Sequence, residues 1–304
     1  MAAIVGASAQ SDDQQLNGRV QGETSNEDIE KVGTQVKQTA TSGRDANAID
    51  RLRAHLNNDV STAHADVLML TCCFISGLVD STIYNAYGTF VSMQTGNTIF
   101  LGLGGATSFK RPPNPKPYGW AKSLVSIGCF CLGCFFFSRF SRAFGSLRRG
   151  TLVASFLLQS VFIFVSAAIV EAGVVDSLLG SLTSDIIWKS VIPVALLSFQ
   201  SSGQIIGSRN LKLSEIPSVV LTSMLCDLAS DPKLTSSWNN NIKRNRRFLA
   251  FFAILIGAII GGFTAEGSGK MQTALWIAGA LKVAITISWM LWPVEELPIS
   301  VLVR

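Results

Sequence analysis

The sequence predicts an all-α, polytopic helical membrane protein of about six transmembrane helices plus two short re-entrant or half-helices, arranged as a two-unit inverted repeat. Three observations carry this. Residues 1–60 hold 15 of the 45 charged residues (six Lys/Arg, nine Asp/Glu), whereas the charges of the remainder gather in short clusters between long uncharged runs. Several of those runs approach the ~20 apolar residues that a helix needs to cross a bilayer. Two shorter segments with polar centres recur at matching places along the chain. The split in charge, −3 for the tail and +8 for the body, argues against a conventional soluble enzyme and excludes a secreted disulfide framework.

The tail is polar through about residue 45 and lacks the basic start of a secretory signal, so disorder is expected there. At 47–58, Ile49, Leu52 and Leu56 recur at helical spacing beside Arg51 and Arg53. That pattern fits an interfacial helix on an anionic leaflet or a solvated helical turn. The polytopic domain is expected over 64–295, followed by a C-terminal tail at 296–304.

The spans follow in order. Asp66–Tyr87, Trp120–Phe140 and Trp188–Gly207 are nearly free of charge, and Phe248–Ala265 and the stretch between Arg149 and Glu171 contain none. The last span, Met271–Trp292, carries Lys282 at its midpoint. Phe90–Gly104 and Ile216–Ser230 are too short and too polar to match these. Each follows a long span and precedes a loop, a span, a short loop and another span. The chain therefore parses into repeat units 64–171 and 186–292, a grammar common in transporters, where interrupted segments mark the binding site.

Charge bias discriminates between topologies. With six spans and both termini on one side, 13 basic residues fall on the cytoplasmic face (Arg51, Arg53 and those between 139–149 and 209–247). Lys110, Arg111, Lys116 and Lys270 face the other side. With eight spans, the five basic residues at 233–247 would lie outside. The basic run at 243–247 abuts a span, which points to anionic lipid and away from nucleic acid. RPPNPKP at 111–117 is a stiff extended connector.

The run Gly77–Gly104 resembles the YoaK-like family of bacterial and fungal membrane proteins, a domain of unknown function, with this chain as a fungal-type member. The resemblance rests on Asp80 in the first span and on Thr95, Gly96 and Asn97 in the next segment. Gln200 and Thr222 match a second landmark, while Ser201 and Ser223 depart from it. It covers about 64–295 and implies the fold more than an activity.

Ionisable groups at membrane depth face a cavity or a partner. The candidate solute-binding residues are thus Asp80, Thr95, Gly96, Asn97, Gln200, Thr222, Asp227 and Lys282. Lys282 is expected to pair with Asp80 or Asp227, either as a coupling pair or as a structural one. Gly96 would permit an unwound backbone whose groups Thr95 and Asn97 satisfy or offer to a solute; close packing of small residues is the alternative. The six cysteines fit packing within apolar runs, and Gly267–Lys270 fits a turn. No catalytic motif, metal site or cofactor is expected, and no enzyme. The partners expected are the bilayer and a small solute. A small-solute or ion transporter is therefore the leading expectation, and a non-transporting membrane scaffold or regulatory protein the alternative.

Overall fold

The computed structural model describes residues 48–107, 120–175, 188–216, 221–268 and 270–295. The expectations for residues 1–47, the 111–117 connector, residues 176–185 of the loop at 171–185, residues 217–220 and the 296–304 tail lie outside them. The chain divides into two compact units, Met1–Ala54 and His55–Arg304. The described part of the first is the opening of α1 (Ala48–Asn57), a helix with no buried residue, at the place where the 47–58 periodicity predicts one.

The second unit contains α2 (Ala65–Tyr87), α3 (Gln94–Thr107), α4 (Trp120–Phe144), α5 (Arg149–Glu171), α6 (Val191–Asn210), α7 (Leu221–Ala229), α8 (Ile242–Ser268) and α9 (Gln272–Leu291). Among the described residues, β-pairing is confined to the isolated bridges Asp59–Arg148 and Val60–Val294. α2, α4, α5, α9 and the Ile242–Thr264 part of α8 are long and apolar enough to cross a membrane. The fold is therefore all-α and polytopic, as the hydropathy pattern predicts. α6 has 20 residues, or roughly 30 Å of helix. Its apolar content is diluted by Ser198, Gln200, Ser201, Ser202, Gln204 and Ser208, all of them buried. Its polar face turns into the bundle, away from lipid.

The helices pack in pairs: α2 on α8, α4 on α6 and α5 on α9, with α6 also against α5 and α3 against α4. The α2–α8 contact is very close. A Cβ added at Gly77 would collide with the carbonyl of Ile254, and one at Gly257 with the carbonyl of Phe74. Small residues at such crossings let backbones approach where lipid supplies no hydrophobic drive. α5 and α9 run antiparallel, with Phe164 against Trp276 (ring centroids 5.4 Å apart) and Phe156 against Trp289 (6.2 Å).

One end of the bundle gathers three chain segments. Val60 N–H donates to Leu147 O in the α4–α5 turn, and Ser61 N–H to Pro293 O just after α9, both at 3.0 Å. Arg149, 1% exposed, donates there to the His55 and Trp292 carbonyls and lies against the His55 ring. These bonds decide the topology. Residues 60 and 147 share an end, so α2 and α4 cross between them and α3 cannot. Residues 147 and 293 share it too, so α5, α6, α8 and α9 cross and α7 cannot. The eight-span alternative is excluded.

Candidate functional site: a buried polar centre

The chain turns at Gly88, which adopts the left-handed conformation (φ 68°) natural to glycine. Residues 88–93 then run back beside α2 without helical structure before α3 begins at Gln94. In hydrocarbon such a segment survives only if its backbone groups find partners inside the protein. Four helices supply them. Asp80 Oδ1 accepts from the N–H groups of Val91 (2.8 Å) and Ser92 (3.0 Å), and the Ser92 hydroxyl donates to Asp80 Oδ2. Asn97 Oδ1 accepts from Phe90 N–H at 2.9 Å, and its Nδ2 donates to Phe90 O at 2.8 Å. Ser126 of α4 donates to Phe90 O (2.8 Å), and Ser201 of α6 to Val91 O (3.0 Å). Asn97 also donates to Ser126 Oγ at 2.9 Å, and Ser126 meets Ser198 at 2.8 Å.

This corrects the reading of Thr95-Gly96-Asn97 as the unwound element. The three residues form the first turn of α3, and the break lies just before them. Gly96 is needed because the Phe90 ring packs on it: a Cβ there would meet that ring at 2.9 Å. Thr95 is exposed. Asn97 alone of the three reaches the centre, where it is 0% exposed.

Lys282, also 0% exposed, lies deeper in the bundle. Its Nζ donates to Gln159 Oε1 (2.7 Å) on α5 and to Gln204 Oε1 (2.8 Å) on α6. Cys72 Sγ lies 3.8 Å away and the Phe156 ring centroid 5.2 Å away. No carboxylate touches it among the described residues, and the expected pair with Asp80 or Asp227 does not form. Asp80 is turned to the backbone of 91–92. Asp227 lies on the exterior, its side chain 60% exposed and 3.5 Å from Arg247. Two buried glutamines solvate the ammonium with carbonyl oxygens, taking the role expected of a carboxylate.

Gln204 connects the two halves of this centre, its Nε2 donating to Ser76 Oγ on α2. Ser76, Ser92, Gln200, Ser201 and Gln204, with Ile75, Val79 and Val91, line a small cavity of about 10 Å³. That is room for about one water molecule. Gln200 Oε1 has no partner among the described residues. Of the residues singled out from the sequence, Asp80, Asn97, Gln200 and Lys282 therefore meet at one centre, packed over by Gly96. Thr222 is exposed on α7 and takes no part in it; α7 is short and packs mainly on α8.

Asp227 borders a separate open pocket of about 220 Å³, with Arg209, Glu215, Arg247 and Ser208. Here the basic run read as a lipid anchor is largely spent internally. Arg246 bonds Asp66 (3.0 Å) and Glu215 (2.8 Å), and Arg244 donates to the carbonyls of Leu234 (2.7 Å) and Ser236. Nearby, the Asp231 carboxyl is held below the ordinary carboxylate range, chiefly by the Asn241 amide and then by Lys233 N–H.

Ser76, Ser92, Ser126, Gln159 and Gln204 escape a search for charged residues. A usable signal exists on α6, where Gln200, Gln204 and Ser208 recur four residues apart on one face. Gln159 shows as the one amide in an otherwise apolar or hydroxylic run. No curated protein and no solved structure matches the chain. A family model described as "Protein of unknown function (DUF1275)" matches residues 68–288, and the chain belongs to that family.

Proposed function

We propose that this member of the DUF1275 family is a carrier for a small solute, held here with its centre closed, and that it has no enzymatic role. The observation that carries this reading is the burial of Asp80 and Lys282, each without an ionic partner among the described residues, at the core of a membrane domain. A charge kept at such depth is expensive, and proteins retain it on solute and ion paths. Two further features support the reading. The α6 stripe of Gln200, Gln204 and Ser208 leads from the central cavity to the open pocket at Arg209 and Asp227. Exchanging α2–α5 with α6–α9 also maps the packing pairs onto one another: α2–α8 onto α6–α4, α3–α4 onto α7–α8, α5–α6 onto α9–α2. That exchange supports the two-unit repeat expected from the sequence, an architecture through which alternating access operates.

The end holding residues 60, 147 and 293 is assigned to the cytoplasm, because Arg139, Arg142, Arg148, Arg209, Lys212, Lys233 and Lys243 collect there. Lys122 and Lys189, absent from the sequence count, lie at the other end and narrow the bias. A scaffold is the second reading, favoured by the complete burial of Lys282 against Gln159, Gln204, Cys72 and Phe156. Reconstitution in liposomes with a broad solute panel, with and without a proton gradient, separates the two. A carrier accumulates at least one solute, and Lys282→Met abolishes that flux while leaving a monodisperse protein. Absence of flux for every solute overturns the carrier.

A further inference from the structure

The 10 Å³ cavity is lined by Ser92, which bonds Asp80, and by Gln204, which bonds Lys282. Gln200 is 2% exposed, and its Oε1 is an acceptor without a donor among the described residues. Leaving such an atom empty-handed in a buried site is unfavourable, because the water bonds it gave up are not replaced. The hydroxyls beside it are oriented by their other bonds. Ser92 gives its proton to Asp80, and Ser201 gives its proton to backbone carbonyls, so both turn lone pairs to the cavity. Ser76 accepts from Gln204 and keeps its own proton to give. One water fits this set: it donates to Gln200 Oε1 and to a serine oxygen, and accepts from Ser76.

We propose that this cavity is a single-water site, seated on Gln200, through which Asp80 and Lys282 act as one coupled proton-binding centre. The coupling is a chain of hydrogen bonds in which Lys282 donates to Gln204, Gln204 to Ser76, Ser76 to the water, the water to Ser92 and Ser92 to Asp80, with the amide passing polarisation and no proton. It joins α2 and the re-entrant segment to α6 and α9. Among the described residues, the other titratable groups beside it are Cys72, in contact with Lys282, and its neighbour Cys73, both buried on α2. α5 and α6 contribute amides and hydroxyls, and α8 presents glycine and alkyl groups to α2. Groups coupled in this way titrate as a set, with protons exchanged with bulk water. The cavity holds about one water and no carboxylate among the described residues lines it, so a neutral water suits it better than a cation. The inference deepens the carrier reading by naming the proton as the coupling ion, yet it is tested without transport.

The full chain in nanodiscs is labelled with carboxyl-¹³C aspartate, and the Asp80 signal, assigned through Asp80→Glu, is followed against pH. Lys282→Met is expected to move its midpoint by at least about one pH unit. In a Gln200→Leu background the same substitution is expected to move it by less than half as much. Gln200→Met serves if the leucine variant fails to fold. A high-resolution structure is expected to show a water in the wild-type cavity and none in the Gln200 variant. An Asp80 midpoint indifferent to Lys282 overturns the proposal. So does a wild-type midpoint or melting temperature that depends on sodium in place of choline, which would make the occupant a cation. Coupled titration without flux in liposomes leaves this centre standing and removes the carrier.

Discussion

Asp80 and Asn97 show how a polar residue in a membrane can serve the backbone and a site at once. Asn97 satisfies both the N–H and the carbonyl of Phe90, and among the described residues no other group accepts from that N–H. Asn97→Ala is expected to strand a buried donor and lower stability by about 1–3 kcal/mol. Chemical unfolding in micelles would read this as an earlier midpoint, and an unchanged midpoint would refute it. Lys282 and Gln159 form a second test. Removing Gln159 alone leaves the ammonium short of an acceptor, whereas removing both partners avoids that penalty. Unfolding of Gln159→Leu, Lys282→Met and the double variant should therefore be non-additive by about 1 kcal/mol or more. Additivity would mean that the 2.7 Å bond contributes little.

At the scale of elements, the α2–α8 seam depends on the absence of side chains. Gly77→Val would push a methyl group into the backbone of α8 at Ile254, a contact no rotamer relieves. Loss of monodisperse protein is expected, judged by size-exclusion chromatography in detergent. Gly262→Ala on the same helix α8 meets nothing within 4 Å and should behave as wild type. The short segments are less alike than their spacing implies. α3, at 14 residues, starts beside Asp80 in the interior, while α7 has nine and lies outside the buried centre. Composition places both correctly as non-spanning, because each is short and polar. It places the break of the first on Gly96 because glycine is the visible breaker there. The true reversal begins at Gly88, and the unwound 89–93 stretch reads as ordinary membrane sequence until its side-chain partners are known.

For the whole molecule, the bonds from residues 60 and 61 to residues 147 and 293 require even numbers of crossings between them. Single-cysteine labelling on a background free of native cysteines should find positions 146, 235 and 294 accessible from one face. Position 270 should react only from the other. Labelling of 235 and 270 from the same face would refute this topology.

The apolar helices, the two short segments and the presence of Asp80, Asn97, Gln200 and Lys282 inside apolar stretches were legible in the linear sequence, and the structure buries all four side chains. Those properties follow from local composition: a run of apolar residues, or a charge within one, is costly in the wrong solvent wherever the chain leads. The partners of those residues were not legible. Lys282 meets Gln159, 123 residues away, and Gln204, 78 residues away. An amide acceptor carries no charge to betray it in sequence, and a carboxylate such as Asp80 can spend its lone pairs on backbone N–H groups as readily as on a cation. Helix packing settled which of these occurred.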